Sequence, residues 1–437
     1  MTHSTRQERL DGARPMRAPE GRRPRPMLRA MGRGLVLLAG LLLGSQALEA
    51  QELHGFVEGL QGVRTAEAPR FERGSYTARE SRLQLKLSGY GDRAEYFARV
   101  DYYFDQLNRG PGELELREAF FVYTGFQTVD FKLGRQIMTW GTGDLLFIND
   151  VFPKDWQSFF IGREDQYLKA PMDAARVGFY SDLFNANLVV MPQFEPDRLP
   201  HPRRLDFYQP LPGAAPPLEP GAELDGGEIA LRVNRHFGGL EVALYGYRGY
   251  YRQPLGFDDP ATMHPFYPRL NVYGASLRRG LLSGVGSIEA GFYHSVDDED
   301  GDDPLVPNSS LRWMAGFDRQ PWTDFQAGIQ GYFEWMQDHE EYAAGLKPGM
   351  YETDELRQLY TLRLTQWLKY QTVQLSLFAF ASPTDEDLYV RAHVSYKLSD
   401  PVEVGLGTNL FAGEHRETMF GQLDDNDNLY LRARYSF

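Results

Sequence analysis

The sequence contains no cysteine, which excludes disulfide frameworks, thiolate metal sites and cysteine nucleophiles. Beyond residue 50 it also has no apolar run of about eighteen residues, the length that a membrane-spanning helix needs, and the mean hydropathy is −0.46. Aromatic residues nevertheless make up 14% of the chain, and glycine contributes 44 residues. This combination predicts strands that alternate polar with apolar residues, because alternation averages the hydropathy while each face keeps its own character.

Positive charge is scarce outside the start of the chain. The whole chain carries a formal charge of −14. Residues 1–50 hold nine basic and four acidic residues, which leaves 37 basic and 56 acidic residues in the remainder, a charge of −19. Nucleic acid is therefore not expected as a partner.

The first fifty residues have the pattern of a signal peptide. Nine arginines precede a short apolar segment at 35–43, and small residues follow at Ser45, Ala47 and Ala50. The apolar segment is too short to span a bilayer, so we predict that residues 1–50 are a Sec-type signal peptide, with an N-terminal anchor helix as the alternative. Because the basic region is long, alternative start residues are Met16, Met27 and Met31.

Polar and apolar residues alternate strictly in many segments of the remaining chain. In one of them, Val373, Leu375 and Leu377 share one face, whereas Gln374 and Ser376 share the other. Successive strand residues point to opposite faces of a sheet. The pattern therefore predicts a sheet with one apolar and one polar surface.

Eighteen such segments are predicted, with sixteen or twenty as alternatives. They lie near residues 52–63, 79–89, 93–104, 114–124, 128–137, 173–181, 184–194, 227–238, 240–250, 269–281, 284–296, 308–319, 322–335, 355–369, 372–382, 386–398, 402–412 and 429–437.

The connections between these segments alternate between short and long. The long ones include 138–172, 195–226, 251–268, 336–353 and 413–428. A barrel with an even strand count requires this alternation, whereas a soluble sandwich does not. We therefore predict an all-β fold, a transmembrane antiparallel β-barrel over residues 51–437, with short periplasmic turns and long extracellular loops.

The last segment alternates as far as the final residue. Leu429 and Leu431 share one face, Arg432 and Arg434 share the other, and the chain stops at Phe437. A terminal aromatic on an alternating strand resembles the C-terminal recognition signal of bacterial outer-membrane barrels. This resemblance implies location in the bacterial outer membrane, with barrel-assembly machinery, membrane lipid and lipopolysaccharide as partners.

If the apolar face contacts lipid, the polar face lines a lumen. Strand parity directs these basic residues inward: Arg82, Lys86, Arg99, Lys132, Arg232, Arg312, Arg357, Arg363, Arg391, Lys397, Arg432 and Arg434. The acids assigned in the same way are Glu95, Asp101, Asp130, Glu241, Asp318, Asp324, Glu334 and Glu403. The lumen is expected to be balanced or mildly basic, with acidity concentrated in the loops. The two interpretations are structural charge pairing and a field that favours anionic solutes.

The segment 138–172 is the longest predicted connection with many aromatic residues. These are Trp140, Phe147, Phe152, Trp156, Phe159, Phe160 and Tyr167. Seven aromatic side chains need a large surface to cover them, and a barrel mouth offers one. We therefore predict that the segment folds into the lumen.

This placement predicts a pore constriction. Arg135 is expected at the outer end of its strand, and Trp140, Asp144 and Lys154 are expected near the narrowest point. Asp144 and Asp150 would then pair with lumen cations such as Arg117 or Lys132, because an unpaired buried charge is costly. The alternative is that 138–172 caps the barrel from above and packs against the proline-rich connection 195–226.

Three short motifs in the N-terminal third carry a family resemblance. They are Leu116-Arg117-Glu118-Ala119-Phe120, Leu133-Gly134-Arg135-Gln136, and Trp140-Gly141 with Asp144. The series resembles the motifs of large bacterial outer-membrane channels, especially alginate-export-type porins and a related family of uncharacterised outer-membrane proteins. The resemblance implies about eighteen strands and a constriction formed by a folded-in loop and lumen arginines, here Arg135, Trp140 and Asp144. The assigned lumen lacks a dense arginine track, which argues against export of a polyuronate.

The function predicted from these features is passive passage of hydrophilic solutes, small or oligomeric and with anionic solutes included. No cofactor, metal or catalytic residue is predicted. A non-conducting barrel for envelope assembly, adhesion or lipid handling is the first alternative. An outer-membrane hydrolase is the second, since His393 and Ser395 share one strand face. That face points inward by parity, away from a lipid substrate.

Overall fold

The computed structural model describes residues 50–68, 71–107, 112–206, 227–258 and 264–437. Residues 1–49 of the predicted signal peptide and residues 207–226 of the proline-rich connection lie outside these ranges. Within the described ranges, no helix has the length and apolarity needed to cross a membrane.

Eighteen antiparallel strands form a closed barrel, which confirms the predicted fold class and strand number. The strands are β1 (Ala50–Arg64), β2 (Tyr76–Tyr90), β3 (Ala94–Asp105), β4 (Glu113–Tyr123), β5 (Val129–Gln136), β6 (Met172–Tyr180), β7 (Asn185–Met191), β8 (Glu228–Phe237), β9 (Leu240–Tyr250), β10 (Arg269–Leu281), β11 (Gly284–Ser295), β12 (Ser310–Trp322), β13 (Phe325–Met336), β14 (Leu356–Leu368), β15 (Val373–Ser382), β16 (Asp387–Lys397), β17 (Val402–Gly413) and β18 (Asn428–Ser436).

The barrel closes between its first and last strands. Each strand pairs with its neighbours in sequence, and β1 also pairs with β18. The backbones of Gly55 and Phe437 exchange two hydrogen bonds of 2.9 Å at this seam. A closed sheet leaves no strand edge unpaired, so the backbone groups of the wall are satisfied within the wall.

The predicted strand ends differ from the observed ends by up to three residues. The second strand begins at Tyr76 rather than 79, because a β-bulge beside Gly62 and Val63 continues its pairing with β1. A bulge adds one residue to one strand and leaves the flanking pairing intact. Alternation alone does not mark such a position.

The connections follow the predicted alternation in length. Turns at one end of the barrel are short, and the glycine pair Gly238–Gly239 forms one of them with φ angles of 56° and 77°. Two positive φ angles suit the tight turn that joins antiparallel strands. Most connections at the other end are long, although 383–386 has only four residues. We call these the short-turn end and the long-loop end.

The outer face of the barrel is apolar and carries aromatic residues near both ends. Trp322 and Phe325 stack at 4.0 Å near the short-turn end, and Trp335 is 42% exposed near the long-loop end. Ile329, which lies between them on β13, is 57% exposed. An apolar band between aromatic girdles is the outer surface of barrels that sit in lipid.

The remaining elements lie in connections at the long-loop end. They are helix α1 (Trp156–Phe160), helix α2 (His339–Gly345), 3₁₀ turns at Asp165–Tyr167 and Gly421–Asn426, and a two-residue ladder of Gly256–Phe257 with Pro265–Phe266. The buried apolar cluster joins inward-facing wall residues to residues of 138–172, including Ile148, Phe159 and Phe160. The core of this barrel therefore lies inside its lumen.

The outer apolar band predicts a substitution that depends on depth in the bilayer. Ile329→Lys should lower the free energy of unfolding in lipid vesicles by about 2–4 kcal/mol, because it places a charge at the middle of the band. The matched control Leu282→Lys, in an exposed turn, should cost less than about 1 kcal/mol. Denaturant titration in vesicles measures both, and equal costs would contradict a lipid-facing band.

Candidate functional site

The segment 138–172 contacts the inward face of the barrel wall through an aromatic cluster. The ring of Phe159 lies 5.5 Å from that of Tyr389 on β16. The ring of Phe160 lies 5.6 Å from Tyr389 and 5.7 Å from Phe411 on β17. Edge-to-face pairs at these separations add to the stability that apolar burial provides.

A single carboxylate on the opposite wall anchors the start of this segment. Glu289 of β11 is almost fully buried. Its Oε1 accepts hydrogen bonds from the backbone N (2.8 Å) and Nδ2 (3.0 Å) of Asn149, and its Oε2 accepts from the backbone and hydroxyl of Thr142 and from Gly143 N. An ionised acceptor that binds several donors tolerates burial. Glu289 therefore fixes the turn 142–149 against β11.

Two glycines allow this close approach. Gly141 has a φ of +81°, and a Cβ there would contact the Glu289 carboxylate. Gly274 of β10 faces Asn149, whose Oδ1 occupies the space that a Cβ would need. Glycine permits both the positive φ and the close contact.

The end of the segment makes ion pairs with the strands near the closure seam. Glu164 pairs with Arg434 (2.7 Å) and Arg432 (3.4 Å) of β18. Asp165 pairs with Arg391 of β16. The segment is therefore held to β11 at one point and to β16 and β18 at another.

A β-bulge in the first motif directs a further arginine to this segment. The pairing of β3 with β4 shifts between Arg99 and Val100, which leaves Arg117 as the extra residue. Its guanidinium donates to Lys169 O (3.0 Å) and lies 4.7 Å from the ring centroid of Tyr167. Bulges commonly redirect a side chain in this way. The sequence analysis named Arg117 as a lumen cation, but strict alternation does not show the bulge that directs its side chain to this segment.

The four predicted constriction residues have different partners. Arg135 pairs with Asp173 (3.3 Å) and Glu195 (3.2 Å) near the long-loop end of β5. The ring of Trp140 lies 5.0 Å from Phe152 and 6.1 Å from Tyr245. The side chain of Lys154 is buried and pairs with Asp150 within the segment at 3.1 Å, and Asp144 reaches Arg363 of β14 at 2.9 Å.

Asp144 pairs with a predicted lumen cation, but the cation is Arg363 and not Arg117 or Lys132, and Asp150 pairs with Lys154 of its own segment. Arg117 binds carbonyls of the segment, and the Lys132 ammonium lies 3.6 Å from the ring centroid of Phe120. The physical reason is that Asp144 crosses the lumen to the far wall, whereas Lys132 belongs to the strand from which the segment starts. Burial raises the pKa of the Asp144 carboxyl, and the Arg363 guanidinium opposes that rise.

All nine of the predicted lumen arginines make ion pairs. The pairs are Arg82–Asp101, Arg99–Glu118, Arg232–Glu241, Arg312–Glu334, Arg357–Asp385, Arg363–Asp144, Arg391–Asp165, Arg432–Glu403 and Arg434–Glu58. Lys86 is half-buried opposite Arg99 in the β2–β3 register, and Lys397 is exposed at the end of β16.

Several acids of this interior were absent from the parity assignment. Glu58, Glu80, Glu228 and Glu289 are buried strand residues, and Glu164 and Asp165 come from 138–172. The strands nevertheless hold fewer acidic than basic residues, so the excess of acidic residues still lies in the connections, in line with the expectation. Glu80 and Glu228 lie near strand ends that alternation does not fix, whereas Glu58 and Glu289 lie in the middle of their strands, where alternation could have identified them.

The connection after β7 also contacts 138–172. Asp197 accepts hydrogen bonds from Lys154 N and Trp156 Nε1, each 2.8 Å long. Burial raises the pKa of the Asp197 carboxyl, and the nearby Lys154 ammonium opposes that rise. The segment thus packs both against the wall and against part of 195–226.

The proposed hydrolase pair lacks the geometry of a nucleophile and base. The imidazole of His393 stacks on Tyr430 at 5.9 Å, and Ser395 is buried one strand position further along the same face. Among the described residues no hydrogen bond joins the two side chains, and no group of three His, Asp or Glu side chains is placed to hold a metal ion.

Comparisons with known proteins place this fold among porin-type barrels. OccK3 (OpdO) of Pseudomonas aeruginosa aligns with a TM-score of 0.54 at 10% identity, over 92% of this chain and 99% of that one. OccD3 (OpdP) of the same organism aligns with a TM-score of 0.51 at 12% identity, over 90% of this chain and 92% of that one. No protein-family model and no curated protein matches the sequence. The likeness is one of fold: a porin-like antiparallel barrel.

The hydrogen bonds of Glu289 predict that removal of its carboxylate makes 138–172 more mobile. Glu289→Ala should loosen 138–172, because each buried N–H left without an acceptor costs about 1–3 kcal/mol. We expect faster protease cleavage between 140 and 165 in the folded barrel. Glu241→Ala is the matched control, since Glu241 pairs with Arg232 and His236 on the wall and not with the segment. Equal cleavage rates in the two variants would count against the anchor.

Proposed function

We propose that this protein is an outer-membrane channel for the passive passage of hydrophilic solutes. One observation supports this most: charged side chains in the interior remain open to water. Arg363 and Asp144 form an ion pair across the lumen, and their side chains are 40% and 31% exposed. A sealed interior would exclude water from such a pair. Barrels of about 16–18 strands are wide enough to leave an aqueous path.

The same proposal gives the protein its location and partners. The apolar outer band fits outer-membrane lipid and lipopolysaccharide, and residues 1–50 supply the export signal. The terminal strand with Phe437 is the element that the barrel-assembly machinery would read. Its backbone completes the seam with Gly55, so recognition of this strand and closure of the barrel involve the same residues.

The constriction proposed here lies where 138–172 approaches β14. Asp144 contributes a carboxylate and Arg363 a guanidinium to the passage. The other predicted residues support this arrangement: Trp140 packs under the turn, Lys154 is buried within the segment, and Arg135 holds the strand from which it starts.

Charge selectivity is expected to be weak. Because most inward arginines pair with carboxylates, the lumen carries little net field for anions. The resemblance to alginate-export-type porins stays a prediction from the motif residues, and a polyuronate solute is not part of this proposal. Anion preference would require that the exposed members of the pairs, such as Arg363, outweigh their partners.

The second candidate is a non-conducting barrel for envelope assembly, adhesion or lipid handling. Its supporting observation is the extent of contact between 138–172 and opposite walls, through Glu289 on β11 and Tyr389 on β16. Planar-bilayer recordings of the purified protein separate the two. Open-channel currents support transport, and no current, even after deletion of 142–165, would exclude it.

The Asp144–Arg363 pair predicts opposite shifts in ion selectivity. Asp144→Asn should move the reversal potential in a salt gradient toward anion selectivity, and Arg363→Gln should move it toward cations, because each removes one charge from the passage. Asp144→Asn together with Asp150→Asn should add little, since Asp150 is buried against Lys154.

Asp400→Asn, in a turn at the short-turn end, is the charge-matched control for these recordings. It should leave the reversal potential unchanged. Unchanged potentials in conducting Asp144 and Arg363 variants would count against the placement of this pair in the passage.

A further inference from the structure

A cavity of about 390 Å³ lies between 138–172 and the wall. Its wall side includes Tyr293 of β11, Arg312 of β12, Glu334 of β13 and Arg357 of β14. Each of these residues lies close to the strand end that leads into a long loop. A solute that enters from the long-loop end would therefore meet this cavity before it reaches the Asp144–Arg363 pair.

The segment side of the cavity is aromatic. Phe147 and Trp156 line it, with ring centroids 5.9 Å apart, and both side chains are half-buried. The bond from Trp156 Nε1 to Asp197 fixes the indole ring. A partly exposed, fixed aromatic surface inside a polar lumen binds the apolar face of a solute at little entropic cost.

The charges that line the cavity are compensated. Arg312 pairs with Glu334 at 2.7 Å, and Lys154 pairs with Asp150 at 3.1 Å. Arg357 pairs with a carboxylate from the next loop in the same way. Paired groups favour neither an anion nor a cation, yet their remaining donor and acceptor positions can bind neutral hydroxyl groups.

One polar group in the cavity has no protein partner. Tyr251 is 5% exposed, and its hydroxyl makes no hydrogen bond within the described part of the chain. Buried hydroxyls are nearly always hydrogen-bonded. Because Tyr251 lines the cavity, its hydroxyl is both a donor and an acceptor for a molecule that enters.

We propose that this cavity binds a neutral polyhydroxylated solute of about one or two sugar rings between Trp156 and Tyr251. The C–H face of the ring packs on Phe147 and Trp156, and the hydroxyl groups bind Tyr251 and the Arg312–Glu334 pair. The volume lies within the range of small-molecule sites. This inference adds a solute class to the proposed channel function. It rests on that function only for the passage of the solute beyond the cavity.

Calorimetric titration of the purified, folded protein in detergent tests the site without any measurement of current. The probes are sucrose, a neutral solute of two sugar rings, and glucuronate, an anion of one sugar ring. We expect saturable sucrose binding and weaker glucuronate binding. Tyr251→Phe should weaken sucrose binding about three- to tenfold, the effect of one hydrogen bond, and should fold normally because it removes a hydroxyl without a protein partner.

Tyr245→Phe is the matched control. Tyr245 lies on the inward face of β9, the strand that ends directly before Tyr251, and it is outside the cavity. Its hydroxyl makes a 2.9 Å hydrogen bond with Ser276 Oγ. It should keep the affinity for sucrose.

Three results would overturn the site: no saturable sucrose binding, equal sucrose affinity in Tyr251→Phe and the parent protein, or tighter binding of glucuronate. Sucrose binding by a protein that carries no current in planar bilayers would remove the proposed transport and leave the binding site in place. Current without sucrose binding would remove the binding site and leave the proposed transport in place.

Discussion

The space inside an eighteen-stranded barrel is the constraint on which the rest of this structure depends. A sheet that closes through β1 and β18 encloses more volume than the side chains of its own wall fill. The segment 138–172 occupies part of that volume, and its aromatic residues find cover against inward-facing rings such as Tyr389 and Phe411. The wall in turn carries large aromatic residues at inward positions, which a lumen filled only with water would not favour.

The packing of 138–172 into the lumen also explains why charged side chains inside the barrel are paired. A guanidinium held between a wall and a packed segment loses much of its hydration, and a carboxylate partner offsets that loss. Arg434 shows the principle, because it meets Glu58 of β1 on one side and Glu164 of the segment on the other. Where the pairs remain partly exposed, as at Asp144 and Arg363, the charged side chains stay in contact with solvent.

The periodicity of the sequence was sufficient to predict the strands, because two-residue alternation is a local property of the wall. It identified all eighteen strands and the alternation of the connections. It does not mark departures from strict alternation, such as the β-bulge at Arg117. The periodicity also could not identify the residues that contact the segment. Asp144 meets Arg363, more than two hundred residues away in the chain, and no local pattern in the sequence fixes that distance across the lumen.

The contacts of 138–172 have a consequence for the order of assembly. Asn149 and Glu289 are 140 residues apart in sequence, and Asp165 and Arg391 are 226 residues apart. Contacts between such distant positions form late, because the intervening chain must first lose its freedom. The two anchors lie on β11 and β16, so the segment docks after most of the wall has paired. The contacts that hold the segment therefore depend on strands that follow it in the chain, so the interior cannot be completely filled before those strands are in place.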